Sequence, residues 1–127
     1  MKKFILLIVI TTFFACDSSD DSQEQVFNPP NWIQGTWDAD NADEANVKFT
    51  TDNFCTIILN VEACLASAIE GSYGTIRIEN EVVTDTDYKF TINRTTGSTN
   101  FHYRKKTDST MVFVLLSNIE TVVFNKK

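Results

Sequence analysis

From position 75 onward, apolar and polar residues alternate with a period of two, the mark of strands with one buried face. A strand over 82–92 places Thr84, Thr86, Tyr88, Phe90 and Ile92 on one side and Asp85, Asp87, Lys89 and Thr91 on the other. The stretch 75–79 sets Ile76 and Ile78 against Arg77 and Glu79, and 99–105 sets Phe101 and Tyr103 against His102 and Arg104. Segments 110–116 and 120–125 complete the series, separated by polar turns. Upstream, 47–50 and 54–59 read as two strands joined by Thr51-Asp52-Asn53, a hairpin turn. The period changes once. Between Asn60 and Gly71 the apolar residues Val61, Leu65, Ala68 and Ile69 fall at helical spacing. That pattern predicts a helix of about ten residues, with Asn60 as N-cap and Gly71 as C-cap.

Short connections between successive strands make neighbours antiparallel. Seven or eight strands with one early helix predict an all-β, mainly antiparallel domain, a small up-and-down barrel whose closure removes its edges. A two-sheet sandwich is the alternative. The run 111–116 is apolar on both faces and needs a cover, from the helix, the N-terminal segment or a second copy. On inward positions the pattern places Trp37, Phe49, Phe54, Tyr88, Phe90, Phe101 and Tyr103. These rings line an apolar pocket or fill a solid core, and for so small a domain the solid core is the default.

The first residues stand outside this pattern. Met1-Lys2-Lys3 precedes an uncharged, mostly apolar run over 4–14, too short for a permanent membrane span of roughly 20 residues. Residues 1–15 therefore read as a secretory signal peptide. Phe13-Phe14-Ala15-Cys16 resembles the lipobox of bacterial lipoproteins. That resemblance implies cleavage before Cys16, acylation of its thiol and anchoring to the membrane through the lipid. Residues 16–31 form a polar, acidic tether ending in Asn28-Pro29-Pro30-Asn31, and 32–127 the folded domain. The run Asp17-Ser18-Ser19-Asp20-Asp21 resembles the export signal that sends Bacteroidetes lipoproteins to the cell surface. An outer-membrane lipoprotein displayed at the cell surface is the expected address.

Cleavage removes Lys2 and Lys3 from the 11 basic residues, leaving 9 against 17 acidic ones, a formal charge of −8. That balance argues against nucleic acid or anionic lipid headgroups as partners. With Cys16 lipidated, Cys55 and Cys64 remain as a disulfide candidate in an oxidising compartment or as two buried thiols.

The stretch Trp32-Ile33-Gln34-Gly35-Thr36-Trp37 resembles the Gly-x-Trp signature of lipocalins. It is more similar still to short lipocalin-like lipoproteins of Bacteroidetes, as are Phe49-Thr50-Thr51-Asp52-Asn53 and the final Val122-Val123-Phe124-x-Lys126. The resemblance implies that Trp37 packs across the closed end of a barrel. It also implies a non-enzymatic protein that binds a small hydrophobic or amphipathic ligand. The alternative is an envelope module with a filled core that binds a protein or glycan through its outer surface.

Catalytic chemistry finds little footing. The single histidine, His102, sits on a polar strand face with no partner set by local spacing. Asp85 and Asp87 are two apart on one face, as paired carboxylates for acid–base work or calcium would be, but Lys89 continues that face. The 4 glycines form no phosphate loop, and no cluster of cysteines and histidines has metal-ligand spacing. No catalytic residue, metal or cofactor is expected.

Overall fold

A computed structural model of the chain describes residues 27–115 and 118–127; Cys16 and the leader lie outside them. Nine strands follow in sequence: β1 (Gly35–Ala39), β2 (Asn46–Phe49), β3 (Phe54–Ile58), β4 (Val61–Cys64), β5 (Arg77–Val83), β6 (Asp87–Arg94), β7 (Gly97–Lys105), β8 (Thr110–Leu115) and β9 (Ile119–Lys126). One helix, α1 (Leu65–Glu70), separates β4 from β5. Every pairing is antiparallel, and β9 returns to β1, so the sheet order is β4-β3-β2-β1-β9-β8-β7-β6-β5. The chain is all-β, an up-and-down meander curved into a half-barrel.

Two expectations are corrected. Among the described residues there are nine strands instead of seven or eight, and the barrel is open at one seam, between β4 and β5. The two facts are connected. An odd number of strands cannot form a ring with every neighbour antiparallel. Strand directions alternate from β4 through β1 and β9 to β5, so β4 and β5 run the same way. Strands running the same way need a crossover connection, and α1 supplies it at the seam, with Leu65 buried in the core and Ile69 packed against it.

The extra strand comes from the stretch expected to be helical. Leu59 (φ 50°) and Asn60 (φ 63°) both adopt left-handed backbone, the geometry of a tight two-residue hairpin turn. Val61–Cys64 then pairs with β3, and only Leu65–Glu70 coils. Asn60 is not the N-cap, whereas Gly71 is the C-cap as expected, its N–H donating to the Ser67 carbonyl at 3.1 Å. Gly71 is right-handed (φ −74°), and Cys64, extended at the N-cap, makes no side-chain capping bond. The missing acceptor comes from another element: Asn53 Oδ1 accepts the N–H of Ala66 at 3.0 Å and that of Phe54 at 2.9 Å. Replacing Asn53 with alanine is expected to cost about 1 kcal/mol, the usual loss of an N-cap acceptor. Urea denaturation reads it, and a loss below a few tenths of a kcal/mol would rule the capping role out.

A second boundary also moves. The expected strand over 82–92 is broken at 84–86, because Thr84 Oγ1 accepts the N–H groups of Thr86 (3.3 Å) and Asp87 (2.8 Å) and closes a turn. Val82 and Val83 belong instead to β5, which passes through a bulge at Asn80 (φ 53°). Glu81, next to that bulge, accepts the Tyr88 hydroxyl at 2.7 Å and the Asn28 N–H at 2.9 Å through Oε1.

The concave side is filled. Trp37, Phe49, Phe54, Tyr88, Phe90, Tyr103, Met111 and Phe124 are buried there with Phe27, Ile33 and Leu65. Ring centroids lie 4.9–6.3 Å apart, including a stacked Phe90–Phe101 pair at 4.9 Å. Packed edge-to-face and stacked pairs of this kind contribute about 0.5–1.5 kcal/mol each beyond their buried area. Phe27 and Pro29 are part of this packing, so the body reaches back into the polar segment.

The run 111–115 shows what covers its second face. Met111 points into the core, while Val112 and Val114 are buried without belonging to that core. Their cross-strand neighbours are Arg104 and Val123 for Val112, and Glu120 for Val114. Long charged side chains at such positions can shield neighbouring apolar ones with their aliphatic stems.

Candidate functional site

Two recesses flank α1 at the seam. One, of about 220 Å³, has Phe54 and Thr56 of β3, Ala63 and Cys64 of β4, Leu65 and Ala68 of α1, and Ile92, Arg94 and Phe101 of β6 and β7 on its walls. Their placement follows from strand parity. Thr56 shares the face of Phe54, and Arg94 shares that of Tyr88, Phe90 and Ile92, so both side chains belong to the concave side. The other recess, about 210 Å³, lies between α1, Phe27, Ile78 and the acidic residues Asp52 and Glu70. Leu65 touches both.

The sulfur atoms of Cys55 and Cys64 are 2.05 Å apart, the distance of a disulfide, joining β3 to β4 immediately before α1. The pair sits directly across the ladder, with the Cα atoms 4.0 Å apart. Glu62 stands beside the two sulfurs, and Lys48 pairs with it at 3.0 Å. Joined to each other, the sulfurs are not thiolate ligands, which is the form that binds metal.

A polar cluster occupies the outer wall. Asp87 Oδ1 meets His102 Nε2 at 2.6 Å and accepts Arg104 Nε–H at 3.0 Å, while Oδ2 accepts the Thr86 hydroxyl at 2.8 Å. Arg104 also reaches Glu120 at 3.9 Å, and Glu120 is held by Lys106. Partial burial pushes the Asp87 carboxyl up, but the bonds from His102, Thr86 and Arg104 and the guanidinium charge outweigh it and hold the group at about 2. A carboxyl lowered in the fold stabilises the protein above its unfolded value of 3.8, and that stabilisation disappears as pH falls towards about 2. Between those limits, wild type is expected to lose stability more steeply than Asp87→Asn. Parallel curves in acid titrations followed by circular dichroism would rule this out.

Beside the cluster runs an outer groove of about 410 Å³, bordered by Ser98, Asn100, His102, Val114, Leu115 and Asn118. The Ser98 hydroxyl is bonded to Asn93 and Asn100 Oδ1 accepts from Thr91, so these groups brace β6 against β7. Asp87, His102 and Arg104 likewise act as a clamp across the two strands. His102 finds its partner through the register Asp87↔Arg104 and Lys89↔His102, which spacing within one strand does not reveal. Asp85 and Asp87 are not brought together: Asp85 is exposed in the turn, and Asp87 belongs to the clamp.

Of the aromatic residues singled out from the sequence, Trp37, Phe49, Tyr88, Phe90 and Tyr103 lie in the core. Burial pushes the phenols of Tyr88 and Tyr103 up, and for Tyr88 the adjoining Glu81 adds to it. Phe54 and Phe101 belong both to the ring cluster and to the walls of the seam recess. Sequence reasoning missed Arg94 and Thr56 as recess residues; their strand parity was the available signal. Cys16 lies outside the described residues. No protein-family model, curated protein or solved structure matches this chain.

Proposed function

We propose that this chain is an exported, lipid-anchored, lipocalin-like binding protein of the outer membrane and cell surface, without enzymatic activity. Its ligand is a small hydrophobic or amphipathic molecule held at the seam, between α1 and the strands. The observation that carries this reading is the apolar recess of about 220 Å³ beside a concave face already packed with rings. A dry cavity of about 150 Å³ is enough to hold benzene, whereas drug-sized ligands use roughly 300–1,000 Å³. The seam therefore suits a single ring or a short chain. The leader, the Cys16 lipobox and the acidic tether support the address, and the disulfide fits an oxidising compartment.

Native mass spectrometry of the protein released from its host membrane tests this, with a small-molecule adduct expected. Absence of an adduct, together with failure to take up simple aromatic probes, would refute it. Replacing Cys16 with alanine is expected to move the protein from the membrane fraction to the soluble one. An unchanged distribution would remove the anchor from the proposal.

A second reading, an interaction module for an envelope protein or glycan, has its own support. The β3–β4 and β8–β9 turns lie at the same end of the meander, opposite the Phe27–Gly35 side, because strand directions alternate. They expose Leu59 (92%), Val61 (69%), Ile58 (59%) and Ile119 (60%). Leu59 to Ser should leave small-molecule uptake unchanged and weaken only a macromolecular contact.

A further inference from the structure

Resting on the seam reading above, we propose that the recess beside α1 is a site for a small apolar carboxylate, with Arg94 and Thr56 as its polar recognition pair. The walls divide by chemistry. Phe54, Leu65, Ala68, Ile92 and Phe101 give an apolar lining, and Arg94 contributes the one charge among the lining residues. Arg94 is exposed at the end of β6 and Thr56 is half-buried, and among the described residues neither the guanidinium nor the hydroxyl has a hydrogen-bond or ion-pair partner within the protein, unlike Arg104 and Lys48.

The two polar groups approach from different elements. Thr56 belongs to β3 and Arg94 to the end of β6, both on the concave face, so a ligand in the recess stands between them. A guanidinium offers a planar fork of N–H donors that matches a carboxylate, and a hydroxyl supplies one more donor. The nearest acidic neighbours by position do not compete. Glu62 lies beside Cys64, its Oε1 3.3 Å from the sulfur, but its carboxylate is paired with Lys48, and Asp52 and Glu70 line the other recess.

The overall negative charge opposes an anion only weakly here. Its influence decays over about 8 Å at physiological ionic strength, whereas Arg94 is in the wall itself. A recess of about 220 Å³ admits a substituted ring or a short alkyl acid and is too small for a long-chain fatty acid. Arg94 selects the anion, and the rings select its apolar body.

The test compares two probes of the same shape, 4-ethylbenzoate and 4-ethylbenzyl alcohol, against the full lipid-anchored chain in nanodiscs, with empty nanodiscs as blank. Saturation-transfer NMR titrations read the affinities. Wild type is expected to bind the acid about tenfold more tightly than the alcohol, and Arg94→Gln to bring the acid down to the alcohol's level while leaving the alcohol unchanged. Ala68→Phe, which fills the recess, should abolish both without lowering the melting temperature. Equal binding of acid and alcohol, indifferent to Arg94→Gln, overturns the carboxylate assignment and leaves the apolar recess standing. Binding of neither probe overturns the recess as well. Acid binding that survives Ala68→Phe places the ligand elsewhere and also overturns the assignment.

Discussion

Replacing Trp37 with alanine is expected to remove about 3–5 kcal/mol of folding stability, the range for deleting a large buried aromatic side chain. Trp37 is 1% exposed, and its Nε1–H donates to the Ile33 carbonyl at 2.7 Å. It sits in the middle of β1, paired with Val47 of β2 on one side and Lys126 of β9 on the other. The Lys126 ammonium lies 5.2 Å from its ring. The residue therefore joins the first strands of the meander to the last, and its loss opens a cavity where they meet. A domain of this size has only about 5–15 kcal/mol in hand, so the variant loses a large share of its stability. Trp37→Phe keeps most of the ring and loses the donor, and should cost roughly 1–2 kcal/mol. Denaturant titration of both variants decides it. A loss of under about 1 kcal/mol for the alanine variant would mean that the β1–β9 closure is held elsewhere.

Removing the Cys55–Cys64 disulfide is the second large effect expected. The sequence separation is 9, and for so short a loop the chain-entropy model gives roughly 2–3 kcal/mol. The paired alanine variant is the right one, because Cys55 is buried and a serine would place a hydroxyl there. The melting temperature should fall by about 10 °C or more. The loss should also be local. β4 is the edge strand at the seam, with only four residues, and α1 follows it directly. Without the bridge, amide exchange is expected to rise first in Leu65–Glu70 and in β4, with β6 and β7 protected. Uniformly faster exchange would show that the bridge stabilises the whole domain and not the seam. Loss of the 4-ethylbenzoate site in the same variant would tie the recess to the bridge.

Some of this molecule was legible in the chain. The period-two alternation at Tyr88, Phe90 and Ile92, and at Phe101 and Tyr103, correctly places those rings on the concave face. A strand's two faces are determined by parity alone, and parity can be read from sequence. The turn at Thr51-Asp52-Asn53 was equally visible; Thr50 closes it, its N–H donating to the Asn53 carbonyl and its hydroxyl to Asp52 Oδ1. Where the pattern misled, a partner that alternation does not register had intervened. Val61, Leu65 and Ile69 have helical spacing, yet Val61–Cys64 is extended because the ladder to β3 and the Cys55 bridge hold it so. Asn53 caps a helix whose own sequence has no capping side chain. The break at 84–86 depends on Thr84 turning its hydroxyl back to Asp87, which alternation cannot register.

Sequence alone thus determined the class: an antiparallel meander with its aromatic residues inside and an early interruption. Local chemistry is sufficient for that, since each strand carries its own buried and exposed faces. Only the tertiary structure decided the number of strands, the open seam, the clamp of Asp87 with His102 and Arg104, and the placing of Arg94 and Thr56 on one recess. These depend on register and on closure, properties of pairs of strands, and no single segment contains them.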